Sequence, residues 1–404
     1  TEPRYYIFLK NGTYDFGTTA LTAVPKNTSL IGESQEGVLL KNCPSATVTD
    51  YQNQTPVLFI APNQDNVYMQ DMTICQSRDW ANKTSQGQAI AVRQRAKRAI
   101  YKNVTMQGVQ DTYYINKADA SAYFEDCSIA GEVDFIYGDG TAFFKNCTLQ
   151  PVSSSACITA PNTQTGYMGL VFDGCVIEKI AGAKDNVTGY RLGRPWGDSP
   201  AATYLNTTMK VLPSDAGWGK MSGSLVLRFH EYGSKDAAGN AIDLSKRSID
   251  ACSPAAGSDS PVLTAEQAAT YTVENVFKKI AADWTPAQHA AQLTAPTPDL
   301  SGQTLAWKPV AGALCYAIVK NGSVVAFTTA TTYTVTDTSA QYAIRVANQM
   351  GGLSKPSSNA TTGITNVDAD GSDANTPQYN VAGQRVNASA KGIVIRGGRK
   401  FVNK

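Results

Sequence analysis

Residues 122–129 read AYFEDCSI and residues 142–149 read AFFKNCTL. Each stretch runs through apolar residues to a polar pair, then a small residue, then an apolar one. The form recurs as VYMQDMTI (67–74), AIYKNVTM (99–106), LVFDGCVI (170–177) and ATYLNTTM (202–209). Its anchor positions, Asp71, Asn103, Asp126, Asn146, Gly174 and Asn206, lie 32, 23, 20, 28 and 32 residues apart. A constant unit at uneven spacing indicates the coils of a solenoid with loops of varying length. The units are short, β-rich and separated by Gly, Asn, Asp and Pro, which reads as an all-β parallel β-helix. A propeller needs about 40 or more residues per blade and is disfavoured.

The repeat sorts side chains into columns. Cys127, Cys147 and Cys175 share one, with Val104 and Met72 below. Neighbouring rungs lie ~4.8 Å apart, a separation that a disulfide tolerates. A Cys127–Cys147 bridge and a ladder of small buried thiols both fit.

Composition narrows the chemistry. Among 404 residues, 42% are hydrophobic and 17% charged, enough for a large core in two or three domains. The net charge of +2 offers no field for binding nucleic acid or an anionic membrane. The two histidines, His230 and His289, lack metal-ligand spacing, and the eight cysteines form no CxxC pair. Carboxylates are therefore better catalytic candidates than a His base. No apolar run is long enough to span a membrane. The opening TEPRYY has neither Met nor an apolar leader, which fits a removed signal peptide or a trimmed chain.

Carrying the 23-residue step from Asn103 to Asp126 into the following strands sets MQGVQDTYYI (106–115) against IAGEVDFIYG (129–138). Asp111 then meets Asp134 on the next rung, roughly 5–7 Å away. Two carboxylates that close resist double ionisation, and one is expected to hold a proton near neutral pH. One ionised and one protonated carboxyl make a nucleophile and a general acid.

Four ordered motifs, GQAIAV (87–92), GVQDTYY (108–114), GEVDFIYG (131–138) and YRLGRPW (190–196), resemble the motif series of pectin methylesterases. The similarity continues through FHEYGS (229–234), SKRS (245–248), LTAEQAATYTV (263–273) and DWTP (283–286), spanning about residues 5–290. The resemblance implies a right-handed parallel β-helix that removes methyl esters from polygalacturonate. It implies Asp134 as the nucleophile and Asp111 as the acid that protonates methanol and then activates water. Gln88 and Gln110 would donate to the oxyanion, Arg194 would pair with Asp134, and Trp196 would line the sugar cleft. Tyr114 and Val133 are candidates for apolar contact with substrate, with core packing as the competing view. The scheme requires no metal or organic cofactor. The expected partner is pectin, a methyl-esterified homogalacturonan, and the expected state a monomer.

Three departures from the family pattern stand out. NGTYDF begins by residue 11, so part of the N-terminal cap is expected to be missing and the solenoid end open. Asp15 stands where Glu is common, and Tyr137 where Phe is common. Among other signals, VRQRAKR (92–98) reads as a solvated face before a pectate site, DADGSD (368–373) as an acidic linker before a calcium loop, and His230 as structural. Thr264 with Gln267 makes a capping box, and the helix that follows is expected to cover the C-terminal end of the solenoid.

A Pro-containing stretch, TAPTPDLSG (294–302), ends the β-helix domain at residue 292. Short alternating strands over 293–361, with a hairpin turn at Asn321-Gly322, resemble a fibronectin type III β-sandwich. Residues 362–378 read as a linker, and 379–404 as a small basic hairpin unit resembling the C-terminal tails of exported Bacteroidetes proteins. The whole fits a secreted, periplasmic or cell-surface enzyme. A β-helix pectate lyase and a non-catalytic glycan-binding solenoid are the rival readings. The first wants calcium and a Lys or Arg base, and the second needs no paired carboxylates.

Overall fold

At Asp71, Asn103, Asp126, Asn146 and Asn206 the backbone is left-handed, with φ between 51° and 57°. Gly174 (64°) and Gly233 (67°) continue the series. The repeat anchors are thus the corners where each coil turns from one parallel strand into the next. Asn, Asp and Gly tolerate this conformation because a short polar side chain, or none, avoids the clash other residues suffer. The corners also bind one another. Asn103 donates to Asp71 at 2.7 Å, and Asn206 to Asp173 at 3.1 Å.

The computed structural model describes residues 2–44, 49–83, 87–183, 185–362, 377–380, 383–387, 391–396 and 399–403. It divides into two units, residues 1–292 with 348–352, and residues 293–347 with 353–404. The first is a right-handed parallel β-helix with three faces. One face stacks Ala99–Gln107, Ser121–Glu125, Thr141–Lys145, Leu170–Asp173, Ala201–Leu205 and Arg228–Tyr232. A second follows the corners through Ser128–Gly131, Thr148–Pro151 and Val176–Ile177. The third carries Val92–Gln94, Tyr113–Ile115, Val133–Gly138, Cys157–Pro161 and Arg191–Gly193.

Parallel stacking in register fills the interior with like on like. Tyr101, Phe124, Phe144, Phe172 and Tyr204 form one aromatic column with ring centroids 4.4–4.6 Å apart. The next position in register is Glu231, fully buried and paired with Arg247 at 2.6 Å. Cys127, Cys147 and Cys175 form the expected column as free thiols, so of the two sequence readings the ladder holds and the bridge does not. Their sulfurs contact backbone carbonyls instead.

The capping box at Thr264 and Gln267 forms, but the helix it opens is only Ala265–Ala268. A second cap, Thr272, starts Val273–Ala281. This helix does not cover the end of the solenoid as expected. It lies against the side of the first face, packing near Ser121–Glu125 and Thr141–Lys145. Tyr123 and Phe143 project outward there, and the helix buries Val276 and Phe277. That outer apolar patch, invisible to a pattern that sees only inward columns, draws the helix. Tyr5, Tyr6 and Ile7, on the strand Tyr5–Leu9, are exposed.

The second unit holds two antiparallel-rich sheets around Leu305, Trp307, Tyr316, Ile318 and Ile344. Asn321 and Gly322 both have positive φ in the hairpin joining Cys315–Lys320 to Ser323–Thr328, as a two-residue turn requires. The tail forms four short antiparallel strands, Gln378–Asn380, Arg385–Val386, Gly392–Arg396 and Arg399–Asn403. The acidic run 368–373 and nearly all of the expected linker fall outside the described residues.

Asn146→Val places a β-branched residue in a left-handed corner and should cost about 1–2 kcal/mol. Asn146→Gly should cost far less, and urea unfolding midpoints of the two variants separate them.

Candidate active site

Three strands of the third face supply the site. Gln88, Gln110 and Val133 stand in one column across successive rungs. Tyr113 pairs with Ile136 in the same 23-residue register. Asp111 and Asp134 are therefore neighbours on adjacent rungs, as the repeat step required. Both are left-handed, with φ of 64° and 49°, a conformation that non-glycine residues keep only where surrounding structure enforces it. Enforcement is visible beside them. Asp111 N donates to Val133 O at 2.9 Å, and a Cβ on Gly131 would stand 2.2 Å from that of Phe135, so only glycine fits there.

Both carboxylates are buried, at 3% and 5% exposure, yet their surroundings differ. Arg194 grips Asp134 with two parallel bonds, Nε to Oδ1 at 2.8 Å and Nη2 to Oδ2 at 2.7 Å. This fork geometry is the strongest form of carboxylate recognition. Burial raises the Asp134 pKa, while Arg194 and the Cys157 thiol pull it back down. Asp111 has no guanidinium of its own. Burial and the Asp134 charge push it up to about 8, against partial relief from Tyr137, Gln88 and Arg194. At neutral pH the pair therefore carries one proton, resident mainly on Asp111.

Residues around the pair sort into walls and donors. Tyr114 is buried, its ring stacked on Tyr137 at 4.1 Å with Trp196 tilted against both. Packing is thus what the structure shows for Tyr114, the competing view in the sequence reading. Trp196 and Val133 are half-exposed and available to a ligand. Tyr137 lies with its ring in the same cluster, and burial and then the nearby Asp111 charge raise the pKa of its hydroxyl. The Phe-to-Tyr change is legible in the sequence but this consequence is not, because the register stands Tyr137 over Tyr114 and only the fold brings its hydroxyl towards Asp111. Cys157 was likewise missed as a neighbour of Asp134, although it follows Val133 by one rung in the register.

The remaining candidates lie elsewhere. His230 is buried among Asp259, Thr203 and Tyr271, and burial lowers its pKa. The basic run is taken up locally. Arg93 bonds Gln52 O and Asn53, Arg95 bonds Asn116 O, Lys97 pairs with Asp119 and Arg98 with Asp283.

The raised pKa of Asp111 has a stability consequence. An unfolded Asp ionises near pH ~4, whereas the folded Asp111 keeps its proton to about 8. The folded state binds the extra proton across this window, so rising pH costs stability from about 4 until about 8 and none beyond. Asp111→Asn removes that cost. Its advantage over the parent in urea denaturation should grow from pH 5 to pH 8, reach on the order of a few kcal/mol, and then level off.

Residues 1–279 match the family model described as Pectinesterase. Pectinesterase A of Dickeya dadantii (strain 3937) is 29% identical over 330 residues, covering 70% of this chain and 83% of that protein. Probable pectinesterase/pectinesterase inhibitor 21 of Arabidopsis thaliana is 34% identical over 172 residues, 40% of this chain. The chain spans only 25% of that plant protein's length. Among solved structures, pectin methylesterase PemA from Erwinia chrysanthemi aligns with a TM-score of 0.55 at 28% identity, covering 71% of this chain and 90% of that one.

Proposed function

The chain belongs to the pectinesterase family, and on that premise we propose that it hydrolyses the methyl esters of polygalacturonate, yielding pectate and methanol. The observation that carries this reading is the asymmetric carboxyl pair, Asp134 ionised under the fork of Arg194 and Asp111 protonated beside it.

Asp134 attacks the ester carbonyl carbon, and the carbonyl π electrons move onto oxygen. The side-chain amides of Gln88 and Gln110 face that oxyanion as neutral donors, which stabilise developing charge without shifting the carboxyl pair. Collapse breaks the bond to the methoxyl group, and methanol leaves with the Asp111 proton. The galacturonoyl group now sits on Asp134 as a mixed anhydride. Asp111, ionised by the first step, takes a proton from water as its oxygen attacks the same carbonyl. Asp134 departs as a carboxylate, back under Arg194, and Asp111 is protonated again. The two half-reactions together return the proton to Asp111 and the charge to Asp134, and the product acid gives its own proton to solvent.

Arg194 serves twice. It keeps the nucleophile ionised despite burial, and it makes Asp134 a better leaving group in the second half. Trp196 and Val133 offer apolar surface to the sugar ring or the ester methyl.

Incubation with highly methylated pectin tests the reading. Methanol released without chain shortening is expected. Shortening with unsaturated ends would mark a lyase, and no product a binding protein. Asp134→Asn should abolish methanol release, and Asp111→Asn should lower it by roughly 10²–10⁴-fold. The alkaline limb of kcat/KM should fall near pH 8, where Asp111 loses its proton. Tyr137→Phe removes an interaction that favours ionised Asp111, so that limb should move to higher pH.

Export to the periplasm, cell surface or medium fits a polymeric cell-wall substrate, and a monomer suffices because the site is built from one chain. The fibronectin type III-like sandwich is assigned a spacer role. Residues 379–404 are assigned sorting or attachment, an idea that fails if their deletion leaves localisation unchanged.

A further inference from the structure

The column Gln88, Gln110 and Val133 begins at Gln88. Alternation along a parallel strand sends the amide and carbonyl of one residue to the preceding rung and those of the next residue to the following rung. Ala89 points forward, its amide donating to Gln110 O at 2.9 Å. Ile90 points back. Its amide donates to Thr55 Oγ1 at 3.2 Å, and its carbonyl accepts from Val57 N at 3.2 Å. Gln88, two residues before Ile90, points back as well. In the preceding rung the chain before Thr55 is the short helix Tyr51–Gln54, not a strand.

Arg78 takes the place of that strand. Its Nη2 donates to Gln88 O at 3.0 Å and to Gly87 O at 3.4 Å. One rigid, planar group holding two successive carbonyls fixes the direction in which the strand starts. Arg78 is itself held. Its side chain is 6% exposed, and Nε faces Asp79 Oδ1 at 3.5 Å, which gives the buried charge a counter-ion. Its Cζ stands 5.9 Å from the centre of the Tyr51 ring. The same ring closes on Gly87, where a Cβ would stand 3.1 Å from it and where φ is +121°, a value that favours glycine.

We propose that Arg78 is a positioning residue for ester hydrolysis, holding the backbone of Gln88 so that its side-chain amide meets the oxyanion. The proposal rests on the esterase reading above. Gln110 is bridged on both sides, to Gln88 and to Val133. Gln88 is bridged to Gln110, and Arg78 supplies the support on its other side. The Gln88 amide also hydrogen-bonds Asp111 in the resting site, so the same support reaches the general acid. An amide displaced by about 1 Å forfeits much of its bond to a developing charge. The ground-state carbonyl is a weaker acceptor and loses less, so the deficit falls on kcat rather than on KM.

The test is a double-mutant cycle on methanol release from highly methylated pectin by the full chain. Gln88→Ala should lower kcat roughly 10²–10³-fold. Arg78→Met should lower it about 10–100-fold, each with KM near the parent's. Arg78→Met should add almost nothing to Gln88→Ala, since it acts through that side chain. Arg78→Lys keeps the charge and a donor and should recover part of the loss. Carbon-13 titration of the Asp111 carboxyl, assigned by its loss in Asp111→Asn, gives a readout that needs no turnover. Losing the Gln88 bond favours the protonated form, so Arg78→Met and Gln88→Ala should each move the midpoint up, and the double variant no further. A parent-like kcat, a loss carried by KM, or full additivity with Gln88→Ala would overturn the proposal, the last marking a purely structural Arg78. If Arg78→Met does not fold, Arg78→Lys decides in the same cycle on the same outcomes. A parent that releases no methanol would defeat the esterase reading instead. The titration still decides Arg78 in that case, supporting its hold on Gln88 if the midpoint rises as in Gln88→Ala and overturning it if the midpoint is unmoved.

Discussion

Parallel rungs about 4.8 Å apart put like residue over like, and most of this structure follows from that constraint. Aromatic rings stack into a column because each rung offers the same inward slot. The corner residues stack because each coil needs a left-handed turn at the same place. The thiols stack for the same reason. In all three columns repetition is favourable, since apolar surfaces and neutral hydrogen bonds gain from a copy of themselves on the next rung.

A carboxylate does not gain from such a copy. Asp134 above Asp111 sets two like charges in a buried setting, where double ionisation is strongly opposed. The fold resolves the conflict asymmetrically. Arg194, reaching in from the strand two rungs further on, neutralises one member, and a proton neutralises the other. The difference between the two carboxyls lies not in the residues, which are identical, but in which of them the guanidinium reaches. The left-handed backbone at both positions belongs to the same arrangement, because the interior of the coil is apolar and the carboxyls must be turned out of it.

Legibility in the sequence tracks this logic. Whatever repeats could be read. The anchor positions and the thiol column followed from the repeated segments and the register joining Asp111 to Asp134 from the 23-residue step between two of them, and the Cys127–Cys147 question stayed open only because a ladder and a bridge share one spacing. Whatever depends on the outer surface could not. The helix Val273–Ala281 was legible from its pattern, but not its seat on Tyr123 and Phe143. Tyr137 and Cys157 both lie in strand register with the site, Tyr137 over Tyr114 and Cys157 over Val133, but that a side chain reaches across its rung to Asp111 or Asp134 is set by the left-handed turns at the two aspartates, which spacing alone does not show. Arg194 came through the family resemblance rather than through spacing.

Glu231 supplies an independent instance of the rule that governs the site. The rings go on through Trp218 to Phe229, but the register position over Tyr204 is taken by a buried carboxylate, and this is paired at once with Arg247, a guanidinium from a later segment. A buried pair of this kind adds little net stability over an apolar residue of similar size, yet removing one partner leaves a buried charge that costs about 3–5 kcal/mol. The solenoid thus accepts a carboxylate in its stack when a later loop delivers an arginine to it. Asp134 meets that condition and Glu231 meets it, whereas Asp111 does not. By the same rule Asp111 rests in the stack in protonated form at neutral pH, and a buried carboxyl kept neutral beside an ionised twin is what the proposed delivery of a proton to a departing alkoxide requires.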